Sequence, residues 1–160
     1  MGWLYFSENK KTTIMTIFEA IREDHDIQRA LCDKLKKTEG KTELRKQLFQ
    51  ALKHELDIHA IAEERHFYSP LIHNDMMQEH ARHGIAEHHE MDELVEELEK
   101  TDMDSPGWLV TAKKLCEKVE HHLEDEEHTF FQLAGKVFSE SQKTSLAKEY
   151  KSAMENERSA

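Results

Sequence analysis

Helix breakers are scarce in this sequence, which has 5 Gly and 2 Pro among 160 residues. That scarcity argues against a strand-and-turn architecture, and the abundance of Glu, Lys, Leu and Ala favours long helices instead. Cysteine is rarer still, with only Cys32 and Cys116. A disulfide scaffold is thereby excluded, and a chain of this length builds its own core without staples. Both cysteines fall on predicted core faces, which points to reduced thiols and a cytoplasmic protein. No apolar run approaches the roughly 20 residues of a membrane span, so no membrane partner is expected. The opening MGWLYFSENKKTT lacks the apolar core and cleavage site of a secretory signal. Basic residues are in deficit, with 22 Lys and Arg against 33 Asp and Glu and a formal net charge of −11. That balance disfavours nucleic acid, whose phosphates are gripped by clustered cations. One residue type is in excess: the chain has 12 His, several times the usual share.

The few breakers divide the chain regularly. Gly40, Pro70, the Ser105-Pro106-Gly107 turn and Gly135 stand about thirty residues apart. Ser105 before Pro106 is a helix-start signal, because Ser can cap and Pro fits the first helical position. Asp75 with Gln78, and Ser139 with Gln142, have capping-box spacing. Helices are expected near 14–37, 42–68, 74–100 and 106–135, with a shorter one near 140–156. Short connections make successive helices antiparallel neighbours. The expected fold is all-α: an up-down-up-down antiparallel four-helix bundle with a short fifth C-terminal helix. Residues 14–137 form the bundle and 138–160 the C-terminal helix and tail. Residues 1–13 read as an N-terminal extension partly foreign to the natural chain, since MTIFEAI from Met15 reads as a natural beginning.

Periodicity then identifies the inward faces. The first stripe is Ile14, Phe18, Ile21, His25, Cys32 and Leu35, and the second is Leu48, Leu52, Leu56, His59, Glu63 and Phe67. The third is Met77, Gly84, His88, Met91, Val95 and Leu98; the fourth is Trp108, Ala112, Leu115, Val119, His122, Glu126 and Leu133. Each stripe is apolar except for one His, joined one turn later by a Glu in the second and fourth. The same spelling recurs sixty-three positions apart, as HAIAEERHFY from His59 and HLEDEEHTFF from His122. Taken singly, an inward His is more often a satisfied core residue, and a His-x-x-x-Glu pair can be a surface contact worth a few tenths of a kcal/mol. Taken together, the groups place six polar side chains where a core should be dry, and an unpaired buried carboxylate is costly. Residues four apart share a helix face, and antiparallel packing brings four mid-helix imidazoles to a common depth. His25, His59, Glu63, His88, His122 and Glu126 are therefore the candidate metal ligands, arranged for two ions bridged by the carboxylates. Nitrogen and oxygen donors without thiolate suit iron or manganese; zinc is less favoured, since its structural sites close with four ligands and often include Cys. Of the other histidines, His66, His73, His83, His89, His121 and His128 are expected to face solvent, and Glu64 and Glu127 to sit at the core edge.

Asp24-His25, HAIAEERHFY, EHHEMDELVEEL and HLEDEEHTFF resemble the four helix signatures of the hemerythrin-like HHE cation-binding domain family. The resemblance spans about residues 17–135. It implies a four-helix bundle holding a non-haem di-iron centre with carboxylate and oxo or hydroxo bridges, with zinc or manganese less favoured. The implied ligands are the same six residues, with Glu63 and Glu126 bridging. Respiratory members carry another His four residues before the one matching His88, where this chain has Gly84. Gly84 is read either as a point of close helix approach or as a residue beside the metal, with His80, Glu55, His89, water or an exogenous ligand completing the shell. Respiratory members also place an Asp one residue after the position of Glu126, so Glu127 competes for that role.

The function expected first is a di-iron protein that binds or responds to a small diatomic ligand, oxygen or nitric oxide. A redox enzyme that decomposes peroxide or repairs nitrosative or oxidative damage comes second, and a structural or regulatory metal-binding module third. A monomer or weak homodimer is expected.

Overall fold

The structure, a computed structural model, describes residues 14–160; the expected extension over 1–13 lies outside the described residues. The described chain is all-helical. Helix α1 spans Ile17–Lys36, α2 Glu43–Glu63, α3 Gln78–Lys100, α4 Pro106–Asp125, α5 Phe131–Val137 and α6 Glu140–Ser159. Helices α1 to α4 form the antiparallel bundle, in which α1 packs on α2 and α4, and α3 packs on α4 and α2. Helix α6 lies across α1 and α2. It is longer than its sequence pattern suggested, equalling the 20 residues of α1.

Local chemistry explains three of the helix starts. Thr16 caps α1 in a capping box with Glu19, and Ser139 caps α6 in the expected box with Gln142. Thr42 caps α2 by accepting from Arg45 N. Two expectations need correction. Asp75 does not cap α3: the N-cap position is Met77, with no side-chain cap bond, and Asn74 Oδ1 accepts from Met76 N and Met77 N at 3.0 and 3.2 Å in the turn before the helix. Ser105 holds the N-cap position before Pro106, but its hydroxyl donates to Asp102 O and makes no cap bond. Gly40 is the single described residue with positive φ, at 63°, where the chain reverses between α1 and α2. That loop is fastened by buried Arg45, which donates to Thr38 Oγ1 and to Met103 O and lies over the Trp108 ring.

The second and fourth helices are not the uninterrupted α-helices expected. After Glu63, residues Glu64–Tyr68 form a π-helical turn; Glu126–Phe130 form another after α4. The wide turns close with Ser69 N bonding to Glu64 O and Phe131 N to Glu126 O. Each inserts one extra residue at nearly the same place in the repeated motif, and π-turns recur at functional sites. The two successive aromatics at the end of each turn are buried: Phe67 and Tyr68, then Phe130 and Phe131. Of the expected inward residues, Ile14 is the exception, being 73% exposed ahead of the first helix.

The core has two compartments. One packs Ile17, Ile21, Phe67, Met77, Phe131 and Tyr150 at the end covered by α6. The other packs Leu35, Leu52, Leu98, Trp108 and Leu115 at the opposite end. Between them lies a layer of polar side chains.

Candidate metal centre

All six candidate ligands lie in that layer, each buried to 6% exposure or less. Helix α1 supplies His25, α2 supplies His59 and Glu63, α3 supplies His88 and α4 supplies His122; Glu126 opens the second π-turn. The donors sort into two groups about one shared carboxylate: His25, His59, Glu63 and Glu126 in the first, and Glu63, His88 and His122 in the second. Glu63 Oε2 lies 3.1 Å from His59 Nε2 and 3.9 Å from His25 Nε2, while its Oε1 lies 3.2 Å from His88 Nε2 and 3.9 Å from His122 Nε2. Glu126 spans the same gap, with Oε1 3.1 Å from His25 Nε2 and Oε2 3.5 Å from His122 Nε2. Each carboxylate thus gives one oxygen to each histidine pair.

These atoms do not satisfy one another. The four Nε2 atoms, both oxygens of Glu63 and Glu126 Oε1 are buried without a hydrogen-bond partner. Such orphans are costly in a dry interior. Their convergence on two common points fits bound cations, so the residues present suit the metal that the motif implies.

Each imidazole is held from behind through Nδ1. Glu127 Oε1 stands 3.0 Å from His25, Glu64 Oε1 3.0 Å from His88, and Glu87 Oε1 2.9 Å from His122. His59 Nδ1 lies 2.7 Å from the Tyr150 hydroxyl, which donates onward to Asp24 Oδ2 at 2.5 Å. An acceptor at Nδ1 fixes the proton there and leaves the Nε2 lone pair turned inward, the orientation a metal requires. Arg29 donates to both oxygens of Glu127, and Arg158 pairs with Asp24 and Glu55. Glu64 and Glu127, expected only at the core edge, are therefore the rear supports of histidines on other helices. Their repetition in both motifs was a signal for that role, as was Asp24 beside His25. Nothing in the sequence pointed to Tyr150.

Without a cation the site holds protons. Burial opposes charge on His122, but Glu126, Glu63 and Glu87 outweigh it and raise its pKa to about 10. Burial likewise opposes charge on His25, which Glu126, Glu127 and Glu63 hold protonated well above the usual imidazole range. Burial favours a neutral Glu63, yet His59, His122 and His25 pull it well below the usual carboxylate range. At Glu126 burial is reinforced by the charge of Glu63, and the carboxyl is shifted upward. Cation binding at these atoms must displace protons.

Gly84 is explained by a tyrosine. The Tyr68 ring stacks on His88 with centroids 5.6 Å apart, and its hydroxyl donates to Glu126 Oε2 at 2.5 Å. A Cβ on Gly84 would lie 2.5 Å from that hydroxyl oxygen and 2.6 Å from Cζ. The room that a further imidazole would need on α3 is filled by the phenol. None of the suggested substitutes reaches the layer: His80 stacks on Phe130, Glu55 binds Arg158, and His89 is exposed beside Glu93. Glu126 enters the donor group, and Glu127 does not. Of the outlying histidines, His73, His121 and His128 are exposed as expected, while His66 is half-buried near Glu149.

A cleft of about 480 Å³ opens between α3 and the end of α4 and reaches His122, Gly84 and Glu126. No described helix is long and apolar enough to cross a membrane.

The sequence profile described as Hemerythrin HHE cation binding domain matches residues 16–134. No curated protein matches the chain. Among solved structures, the crystal structure of "Hemerythrin HHE cation binding domain-containing protein: Rv2633c homolog" from Mycobacterium kansasii superposes with a TM-score of 0.80. The two share 23% identity, and the match covers 91% of this chain and 88% of the other. At that identity the likeness speaks for the fold.

Proposed function

The chain belongs to the hemerythrin HHE cation binding domain family, and from that premise we propose that it holds two iron ions and binds or responds to a small diatomic ligand, oxygen or nitric oxide. The observation that carries this reading is the set of seven buried, unpartnered ligand atoms on His25, His59, Glu63, His88, His122 and Glu126. Iron bound there supplies Lewis acidity and one-electron redox chemistry. The chain's part is to set its surroundings. Glu63 reaches both histidine pairs and Glu126 spans His25 and His122, so these two carboxylates would be the ones to hold both ions. Glu64, Glu87, Glu127 and Tyr150 keep the imidazole Nε2 atoms turned inward. Phe67, Phe130 and Phe131 close one side of the layer against water. The cleft by Gly84 is the approach for a small molecule.

Tyr68 favours a second reading, redox turnover of peroxide. Its phenol fills the space beside Gly84, the position at which respiratory relatives carry His, so the protein supplies one nitrogen fewer, and its hydroxyl holds a proton at Glu126 Oε2. Anaerobic reconstitution with ferrous iron is expected to give close to two irons per chain by metal analysis. One tightly held zinc with no iron uptake would overturn the reading. Stopped-flow mixing of the reduced protein with oxygen, then with peroxide, separates the alternatives. A persistent oxygen-dependent visible band supports ligand binding, whereas repeated peroxide consumption supports turnover.

A further inference from the structure

The His-x-x-x-Glu spacing occurs a third time, at His83 and Glu87 on α3. Here the pair sits at the mouth of the cleft. His83 Nε2 lies 3.3 Å from Glu87 Oε1 and 3.9 Å from Asp125 Oδ2 of α4. Together they form a third set of donors close enough to share one ion. The set is two-faced: the side chains of His83 and Asp125 are 61% and 51% exposed, whereas that of Glu87 is 3% exposed. Glu87 Oε1, which meets His83 on the outside, also accepts from His122 Nδ1 at 2.9 Å on the inside. Lys118 approaches the other oxygen of Glu87 at 3.8 Å and pairs chiefly with Glu90. The same cleft is lined by His122 and Glu126, whose Nε2 and Oε1 atoms are buried and unpartnered. A fourth copy of the spacing, His89 with Glu93, is exposed and belongs to no donor group of three among the described residues.

We propose that His83, Glu87 and Asp125 form an outer divalent-cation site through which metal is passed to the buried layer. The inference rests on the two-metal reading of that layer. A hydrated cation cannot enter a packed interior in one step, because it must lose its waters as protein donors replace them. The outer set offers one nitrogen and two carboxylates at the mouth of the cleft, His83 and Asp125 in solvent and Glu87 behind them, a mixture suited to first-row divalent ions. The formal charge of −11 draws such ions to the surface. From the outer set, a cation moves along the cleft toward Glu126 and His122, where unpartnered atoms replace its remaining waters.

The test is cobalt(II) binding to the full chain, followed by visible absorbance and calorimetry. The parent is expected to bind two equivalents tightly and a third more weakly. His83→Ala with Asp125→Asn should abolish the third equivalent, leave the final occupancy of the first two unchanged, and slow their loading about tenfold or more. The matched control, His89→Ala with Glu93→Gln, should load at the parental rate. Glu63→Ala, which disables the buried pair, should still take up one cobalt, and should lose it on adding His83→Ala and Asp125→Asn. Unchanged loading in the His83/Asp125 variant, or no cobalt bound by Glu63→Ala, overturns the outer site. Failure of the parent to load a tight pair, with one equivalent still lost on changing His83 and Asp125, would instead overturn the two-metal reading.

Discussion

Glu63 and Glu126 have neighbours of the same type, and the structure gives the two kinds of carboxylate different work. Glu63 and Glu126 face the four Nε2 atoms; Glu64 and Glu127 face Nδ1 atoms from the outside. Glu63→Ala or Glu126→Ala is expected to empty the centre while circular dichroism shows the helices retained. Glu64→Ala or Glu127→Ala should weaken metal binding about 10- to 100-fold, the usual effect of removing a ligand's rear partner. If Glu127→Ala empties the site and Glu126→Ala does not, the assignment is shifted by one residue. Gly84 gives a second prediction. A methyl there meets the Tyr68 phenol at 2.5 Å, and Tyr68 is wholly buried, so Gly84→Ala should destabilise by about 1–3 kcal/mol through overpacking. Combining it with Tyr68→Leu should cost less than the sum of the two changes in denaturant titrations, by about 0.5–3 kcal/mol of coupling. Strict additivity would show that the tyrosine is not what Gly84 accommodates. Introducing His at position 84 requires displacing that ring first.

At the scale of elements, α6 belongs to the centre as well as to the core. It buries Ala147, Tyr150 and Met154 against the compartment below the polar layer, and through Tyr150 it reaches His59 and Asp24. Tyr150→Phe keeps the packing and removes only the hydroxyl. The expected result is a loss of metal affinity of about 10- to 100-fold with helix content unchanged, measured by chelator competition. Unaltered affinity would reduce α6 to a packing element. Arg158, partly exposed, orders Asp24 and Glu55, and by itself an exposed pair of this kind contributes about 0–1 kcal/mol. The π-turns act at the same scale. Each widens a helix just where its motif carboxylate leaves the last regular turn, and lets two successive aromatics face inward below the layer.

Across the whole molecule, the polar layer separates two apolar compartments, so the middle of the bundle contributes little hydrophobic stabilisation until its charges are matched. Stability should therefore be linked to metal. A ligand at 100 times its dissociation constant stabilises the native state by about 2.7 kcal/mol for one site. In a chain of this size each kcal/mol raises the melting temperature by about 2–4 °C. Thermal melts should rise by several degrees on adding ferrous iron anaerobically and fall with chelator. In Glu63→Ala both changes should be much smaller. A melting temperature indifferent to metal in the parent would mean that the layer is balanced by its protons alone.

The bundle, the inward stripes and the six-residue donor set were legible because they obey short-range rules: breaker spacing, the 3.6-residue period and the fourfold offset of His and Glu. Those rules operate within a helix, and antiparallel neighbours are forced by short loops. What they cannot carry is any contact across a long sequence separation. Tyr150 meets His59 across 91 positions, Glu127 meets His25 across 102, and Tyr68 meets Glu126 across 58. The π-turns escaped for a related reason: an extra residue in a helix leaves composition and caps unchanged and alters only the hydrogen-bond register. The sequence by itself determined which atoms could bind a cation. Only the packing of α6, the two wide turns and the Tyr68 ring decided how those atoms are oriented, because orientation depends on partners that meet only when the helices do.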